Sequence, residues 1–527
     1  MKRRDFLSLS AAAASAALLV SNPEKISAQT GMKSFELEEV TVMELQDAMK
    51  SGKMSSREIT QKYLDRIAAI DKQLNSVIET NPDALAIADA MDKERKTGKI
   101  RSQMHGIPIL IKDNIDTADK MKTTAGSLAL LDAPTPKQDA FLVQKLREAG
   151  AVIIGKTNLS EWANFRSTRS SSGWSGRGGQ THNPYILDRN PCGSSAGTGA
   201  AIAANLAATG IGTETDGSII CPSATCGIVG LKPTLGLVSR AGVIPIAHSQ
   251  DTAGPMTRSV ADAAILLGVL IGNDPNDAIT AQAVKGKKDY TSFLQKDGLK
   301  GARIGVARAI FGRNSKIDAV VEPHLKVLQA GGATLVDIEF ASSGKFGDAE
   351  YEVLLYEFKE DLNKYLAGRG GQHKTLADLI KFNEANRDKE MPYFGQEIFL
   401  QAQEKGDLNE RAYQLALLQS KIYTQEQGID AVMSLNKLDA IVAPSGGVAW
   451  MTDLVNGDCG VFEGITSFAA VAGYPSITVP AGYVQELPVG ITFVGRAFTE
   501  DILIKLAYAF EQATKARKPP KFLPTYS

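Results

Sequence analysis

The stretch CGSSAGTG at residues 192–199 is followed, after an alanine-rich run, by GTETDGSI at residues 212–219. Both stretches are dense in glycine, serine and threonine, and they carry only two charged residues, Glu214 and Asp216. Glycines allow tight backbone turns, so several N–H groups and a serine hydroxyl can face one point. Each stretch taken alone is compatible with an ordinary glycine-rich turn. Together, and joined by a predicted small-residue helix at residues 200–208, they predict one closely packed functional site.

Short apolar runs and helical patterns alternate on both sides of this glycine-rich segment. Upstream, residues 107–111 (IPILI) and 151–154 are too short for helices and rich in isoleucine, which predicts buried strands, and residues 140–149 have a helical pattern. Downstream, further strands are predicted at residues 304–306, 335–338, 438–442, 476–479 and 489–494. This alternation predicts an α/β fold with a mixed or parallel central sheet covered by helices on both faces.

Two helix starts and one insertion complete the predicted layout. Thr41 with Glu44, and Ser55 with Glu58, fit the capping-box pattern that begins a helix. Behind the second box an apolar face recurs at helical spacing, formed by Ile59, Tyr63, Ile67 and Ile70. Residues 348–435 are helical in pattern and more polar, and we expect them to form an insertion on the substrate side.

The N-terminus carries a targeting signal. KRRDFLS at residues 2–8 sets twin arginines before an apolar run that ends at Val20, and Ile26-Ser27-Ala28 supplies small residues for cleavage. A membrane anchor or a buried helix is the alternative, but the run is shorter than the roughly 20 residues that span a bilayer. The pattern resembles a Tat export signal, so we expect export, to the periplasm, without a stable membrane anchor. The predicted segments are a signal peptide at 1–28, a linker at 29–40 and one domain at 41–527.

Composition excludes several classes of partner. The chain has 527 residues, 22% of them charged, and a formal net charge of -1, so it has no positive excess for nucleic acid or an anionic membrane. No C-x-x-C pair and no Cys/His spacing typical of zinc is present, and no metal site is predicted. The cysteines could pair in an oxidising compartment, but we expect small buried residues instead. They are Cys192, Cys221, Cys226 and Cys459.

Four further motifs accompany the two glycine-rich stretches. They are GIPILIKDN at 106–114, TTAGS at 123–127, CGIVGLKPT at 226–234 and AGYPSITVP at 472–480. The ordered set resembles the amidase signature family, and the resemblance runs from about residue 40 to the C-terminus. It implies a single amidase-signature domain that hydrolyses carboxamide C–N bonds and releases ammonia, with neither a metal nor an organic cofactor.

The resemblance also implies a role for individual residues. The family's catalytic lysine falls on Lys112, its bridging serine beside a cis peptide bond on Ser194, and its nucleophile on Ser218. The 24-residue spacing between the two serines is the family's own. The oxyanion donors fall on the backbone N–H groups of Thr215, Asp216, Gly217 and Ser218.

This assignment agrees with elementary acid–base chemistry. A serine hydroxyl is a weak nucleophile until a base takes its proton. Lys112 can be that base only when neutral, which requires its pKa to fall from about 10.4 towards 7, a change worth ~4 kcal/mol. Burial at the end of an apolar strand would lower the pKa in this way, because it disfavours the ammonium form. Ser194 would carry the proton between Lys112 and Ser218 and later donate it to the leaving nitrogen.

A competing motif occupies the same stretch. GSSAG at residues 193–197 satisfies G-x-S-x-G, the nucleophile elbow of α/β-hydrolases, which would make Ser195 the nucleophile. That motif needs a buried strand immediately before it, whereas DRNPC at 188–192 is polar and broken by proline. A triad histidine would have to come from His105, His182, His248, His324 and His373, and none of them has a telling sequence context. We therefore favour Ser218.

The loop before Ser218 departs from the family pattern G-T-D-x-G-G-S-I-R at Glu214, Asp216 and Ile220. The changed form resembles the branch that contains bacterial peptide amidases, which implies C-terminal peptide amides or other small amides as substrates. Two alternatives stay open. One is the A-type subunit of the tRNA-dependent amidotransferase, which the export signal contradicts. The other is an exported, non-catalytic binding protein of the same fold, which the presence of all three catalytic residues disfavours.

Overall fold

Eleven strands hydrogen-bond into one mixed sheet, and two further strands form a small hairpin. The computed structural model describes residues 35–287, 289–458 and 464–526. The predicted signal peptide, most of the predicted linker, and Cys459 lie outside the described residues. Glu39–Ser527 form one compact unit, to which Lys112, Ser194 and Ser218 all belong.

The strands are β1 (Val77–Thr80), β2 (Pro108–Lys112), β3 (Val152–Thr157), β4 (Trp174–Ser175), β5 (Gly179–Gln180), β6 (Thr209–Glu214), β7 (Val229–Lys232), β8 (Thr252–Thr257), β9 (Arg303–Ala307), β10 (Thr334–Ile338), β11 (Ala440–Pro444), β12 (Ser476–Val484) and β13 (Leu487–Val494). The order across the large sheet is β1-β3-β2-β6-β8-β7-β12-β13-β11-β9-β10. Strand β2 runs parallel to β3 and β6, whereas β8 is antiparallel to β6 and β7.

The described α-helices are α1 (Val42–Lys50), α2 (Ser56–Ile70), α3 (Ala84–Lys96), α4 (Phe141–Glu148), α5 (Ala196–Ala203), α6 (Ile220–Thr225), α7 (Val260–Leu270), α8 (Ser315–Ala330), α9 (Gly347–Arg369), α10 (Leu376–Ala385), α11 (Arg387–Glu390), α12 (Glu397–Glu404), α13 (Arg411–Lys421), α14 (Asp430–Asn436), α15 (Thr466–Ala472) and α16 (Glu500–Thr514). A π-helical segment at Ile422–Ile429 joins α13 to α14. The prediction of one α/β domain with a mixed central sheet flanked by helices is confirmed. None of these helices combines the length and the apolarity needed to cross a bilayer.

Local sequence signals place most of these elements correctly. Thr41 and Ser55 each form a complete capping box at the start of α1 and α2. The predicted apolar face of α2 is buried in full. All five residues of β2 are buried, including Lys112 at its end. The five predicted downstream strands correspond to β9 to β13, with boundaries that move by a few residues.

The glycine-rich segment differs from the sequence prediction in two ways. First, it contains three central strands, β6 to β8, that were not predicted. Strand β6 (TGIGTE) is buried on both faces, so it shows neither apolar alternation nor a β-branched run. Second, the small-residue helix, α5, ends at Ala203 instead of residue 208. Asn205 takes a left-handed conformation (φ 60°), which stops the helix before β6 begins.

Close packing of α5, in contrast, is confirmed. A Cβ atom on Gly197 would overlap the backbone oxygens of Ser76 and Asn158. Gly197 N donates to the Asn158 carbonyl at 3.0 Å, which ties the first turn of the helix to the chain just after β3. The residues that precede α5 are therefore held close to the carboxyl ends of β2 and β3.

The insertion at residues 348–435 is helical, as predicted, and includes α9 to α13. Its apolar interior is built around Phe358, Leu362 and Phe399. The same cluster contains Trp162 and Phe165, which belong to the loop after β3. The insertion is thus packed against a loop that also reaches the catalytic residues.

Candidate active site

The end of strand β2 places Lys112 at the centre of the site. Its side chain has no solvent exposure. Lys112 Nζ donates to Ser194 Oγ at 2.8 Å, to Thr213 Oγ1 at 2.8 Å and to the Thr213 carbonyl at 3.3 Å. Because Ile111 of β2 pairs with Ile211 of β6 in parallel register, Thr213 follows on β6 beside the lysine. Asn114 Nδ2 also donates to Thr213 Oγ1, at 3.0 Å.

Burial lowers the pKa of Lys112 to about 7. The carboxylates of Asp251 and Glu214 oppose this change, because negative charge favours the ammonium form, but desolvation outweighs them. Burial also raises the pKa of Asp251, to about 6, and the pKa of Glu214 above its usual value. A substantial fraction of Lys112 is therefore neutral near pH 7 and can accept a proton from Ser194.

Ser194 contacts the lysine and directly follows Gly193, which lines the same cavity as Ser218. Its side chain is fully buried, and the Gly193–Ser194 peptide bond is cis. The cis bond is what the family resemblance implied for this position. The Ser194 carbonyl accepts a hydrogen bond from Ser160 N at 3.1 Å. The next residue, Ser195, donates its backbone N–H to the Ser218 carbonyl at 3.2 Å. This backbone contact brings the two serine-bearing segments together.

The loop from Thr215 to Ser218 connects β6 to α6 and is held by two carboxylates. Glu214 accepts from the backbone N–H groups of Ile219 at 2.7 Å and Ile220 at 3.0 Å. Thr215 Oγ1 donates to Asp251 at 2.6 Å. Gly217 has φ +74°, a conformation that favours glycine, and no other side chain crowds it closely. The loop is consequently fixed with Ser218 near the start of α6.

Ser218 opens onto a cavity of about 370 Å³. The predicted oxyanion residues Thr215, Asp216 and Gly217 line it. Four large apolar side chains line it as well: Phe165, Ile246, Leu354 and Trp450. Among the described lining residues the charged side chains are Asp216 and Asp458, and none is cationic. A larger cavity of about 720 Å³ contains none of the three predicted catalytic residues.

Ser195, the nucleophile of the competing motif, has a structural environment. Its Oγ donates to the Thr213 carbonyl at 3.0 Å and accepts from Thr213 N at 3.2 Å. It is fully buried and does not line the cavity of Ser218. Among the five histidines, all of which are described, none hydrogen-bonds to Ser195: His248, for example, bonds to Asp361 at 2.8 Å. These contacts give no support to a nucleophile elbow.

The expectation that the cysteines are unpaired was wrong for two of them. Cys192 and Cys221 form a disulfide, with their Cα atoms 6.0 Å apart, and Cys226 is a buried free thiol. The sequence carried an unused signal, since Cys192 lies just before one predicted catalytic serine and Cys221 just after the other. Sequence reasoning also missed Thr213 and Asp251, whose roles depend on strand pairing that no local pattern reveals.

Comparison with known proteins places this geometry in context. Residues 58–504 match the family model described as Amidase. A probable amidase of Arabidopsis thaliana is 41% identical over 504 residues, which cover 93% of each chain. The X-ray structure of native peptide amidase from Stenotrophomonas maltophilia is 49% identical with a TM-score of 0.89, covering 92% of this chain and 99% of that one. The A-type subunit of glutamyl-tRNA(Gln) amidotransferase from Thermoanaerobacter pseudethanolicus is 36% identical, covering 92% of this chain and 99% of the relative.

The lowered pKa of Lys112 gives a pH dependence with a defined sign. Neutral Lys112 is the form that can accept a proton, and it becomes populated as pH rises through about 7. The rate constant for labelling of Ser218 by a serine-directed phosphonate should therefore rise through pH ~7 and level off above it. Lys112→Arg should slow the labelling at least ~100-fold, because guanidinium does not give up its proton in this range.

The matched control is Lys421→Arg, at a partly buried lysine whose pKa is also lowered, to about 8, and which does not line the Ser218 cavity. It should leave both the rate and the pH profile within about twofold of wild type. A Lys112→Arg variant that is labelled at the wild-type rate would remove Lys112 from the role of base.

Proposed function

Because this chain belongs to the amidase family and hydrolyses carboxamide C–N bonds, we propose that Lys112, Ser194 and Ser218 are its catalytic triad. One observation carries this assignment. Lys112 Nζ lies 2.8 Å from Ser194 Oγ in a fully buried setting that lowers the lysine pKa to about 7. A buried base in contact with a bridging hydroxyl is what the chemistry requires in the absence of a triad histidine.

The proposed reaction proceeds in two halves. Neutral Lys112 takes the Ser194 proton while Ser194 takes the proton of Ser218, and Ser218 Oγ attacks the carboxamide carbon. Backbone N–H groups of residues 215–218 stabilise the oxyanion, an interaction worth about 2.7–4 kcal/mol for each donor in well-studied hydrolases. The proton returns through Ser194 to the nitrogen, and ammonia leaves. Water then attacks the acyl-enzyme, using the same base, and the carboxylic acid product is released with Ser218 regenerated.

We further propose C-terminal peptide amides as the substrates. The support is the 49% identity to a peptide amidase over 92% of this chain, together with the character of the cavity. The apolar side chains that line the cavity suit a peptide side chain. The described lining residues include no cation to bind a free carboxylate. The glycine-containing loop at 215–217 directly precedes Ser218 and favours a small leaving group, which argues for primary amides over internal peptide bonds.

The two alternatives receive less support. The A-type amidotransferase relative shares 36% identity with this chain, but Glu214, Asp216 and Ile220 depart from the family pattern, and the twin-arginine pattern at residues 2–8 argues for export. A non-catalytic binding protein would not need a buried lysine with a lowered pKa in contact with Ser194. Amide hydrolysis accounts for both the lowered pKa of Lys112 and its hydrogen bond with Ser194.

Export to the periplasm through a Tat signal is also proposed. The support is the twin-arginine pattern at residues 2–8 and the Cys192–Cys221 disulfide, since disulfides persist in oxidising compartments. In a bacterial host with a Tat system, the wild-type chain should reach the periplasm. Its measured mass should be that of a chain whose first residue follows Ala28. Replacement of Arg3 and Arg4 by Lys should retain the protein in the cytoplasm. An uncleaved wild-type chain in the cytoplasm would refute export.

Ser218→Ala should abolish amide hydrolysis, with a loss of at least ~10⁴-fold in kcat, because it removes the proposed nucleophile. Ser195→Ala is the matched control. It removes two hydrogen bonds to Thr213 and should lower stability, yet it should retain hydrolysis within ~10-fold. Mass spectrometry after phosphonate treatment should place the adduct on Ser218. An adduct on Ser195 would support the nucleophile elbow instead.

Substrate choice is tested by competition between a peptide amide and a small aliphatic amide. We expect kcat/KM to favour the peptide amide. Leu354→Ala should lower it about 10-fold for the peptide amide but little for the aliphatic amide, because a leucine side chain that the substrate covers contributes about 1.5–3 kcal/mol. Leu418→Ala, at an exposed leucine, is the control. If kcat/KM favours the aliphatic amide by tenfold or more, about 1.4 kcal/mol, the peptide assignment is withdrawn and amidase activity alone is kept.

A further inference from the structure

The Cys192–Cys221 disulfide joins the two segments that carry the catalytic serines. Cys192 lies two residues before Ser194, and Cys221 lies three residues after Ser218. Both cysteines line the cavity onto which Ser218 opens. The bridge is therefore part of the catalytic cavity, and it links the bridging serine to the nucleophile from outside the triad.

Hydrogen bonds also join the same two segments. Ser195 N donates to the Ser218 carbonyl at 3.2 Å, and Thr225 Oγ1 donates to the Pro191 carbonyl at 2.7 Å. Neither segment is a β-strand at the serine itself: Ser194 precedes α5, and Ser218 precedes α6. In addition, Cys192 has a left-handed backbone (φ 60°), a conformation that is unfavourable for a residue with a side chain. The geometry at Ser194 thus depends on what holds Cys192 in place.

We propose that the Cys192–Cys221 disulfide is a positioning element of the catalytic site, so that full turnover requires the oxidised form. This inference rests on the proposed roles of Ser194 and Ser218. Reduction by a dithiol transfers two electrons and two protons: the sulfur–sulfur bond breaks, two cysteine thiols form, and the dithiol becomes a disulfide. The covalent link between the segment before Ser194 and α6 is then lost, and the Ser194–Ser218 proton path is held less firmly.

Two features determine how this bridge reacts with thiols. Cys221 is partly exposed at the cavity, so a small thiolate can approach its sulfur. Cys226, in contrast, is fully buried, and burial raises the pKa of its thiol to about 12. A thiol with so little thiolate is a poor nucleophile, so Cys226 is not expected to exchange with the bridge.

The test compares the oxidised enzyme with the enzyme reduced by dithiothreitol, at a temperature where circular dichroism shows both to be folded. Thiols are counted after denaturation to confirm a gain of two. We expect kcat for a peptide amide to fall at least tenfold on reduction, KM to change less than twofold, and kcat to return on reoxidation. The double variant with Cys192→Ser and Cys221→Ser should match the reduced enzyme and be insensitive to dithiothreitol. Cys226→Ser, the matched control, should behave as wild type.

The labelling rate of Ser218 with a serine-directed phosphonate provides a readout that does not depend on substrate choice. It should fall at least tenfold on reduction. If two thiols appear while kcat and the labelling rate stay within twofold, the bridge only stabilises the fold and the proposal is overturned. Reduction that unfolds the whole protein would overturn it as well. An oxidised enzyme that hydrolyses no amide would instead refute the proposed function, and the labelling rate would still decide the role of the bridge.

Discussion

The burial of the Lys112 side-chain amine is the constraint on which the site depends. A lysine removed from water becomes a base near neutral pH only if no carboxylate pairs with it directly. Glu214 and Asp251 are close enough to influence its pKa, but their oxygens accept hydrogen bonds from backbone N–H groups and from Thr215. The lysine is left with the hydroxyls of Ser194 and Thr213 and one carbonyl. Its partners are neutral, and its pKa falls.

The same two carboxylates therefore serve two purposes. Glu214 fixes the turn into α6, and Asp251 fixes the hydroxyl of Thr215, so together they hold the loop whose N–H groups we propose as the oxyanion donors. Their negative charges raise the pKa of Lys112, but desolvation lowers it by more. Glu214 stands where the family pattern has an aspartate, and its side chain reaches the N–H groups of Ile219 and Ile220. The departure from the usual pattern is consequently compatible with catalysis.

Sequence reasoning identified the fold class, both capping boxes and the strand that delivers Lys112, because each has a local signature. Burial alone would not have selected the lysine, since Lys156 and Lys232 are also fully buried with lowered pKa values. Lys112 was predicted as the base because it lies in one of the family motifs. The structure adds its hydrogen bond with Ser194. Thr213 and Asp251 could not be predicted in this way. Their positions follow from the pairing of β6 with β2 and β8, which is a tertiary property.

The location of the disulfide follows from which catalytic residues lie on the sheet and which lie in loops. Lys112 and Thr213 lie on adjacent strands of the central sheet, so the backbone ladder fixes their separation. Ser194 and Ser218 lie in turns, where glycine-rich backbone supplies the required geometry but also has the largest conformational entropy to lose. A cross-link that closes a loop of 29 residues removes about 3–4 kcal/mol of that freedom from the unfolded chain. A covalent bridge is therefore placed where the sheet cannot hold the reacting groups and where flexibility would be most costly to proton transfer.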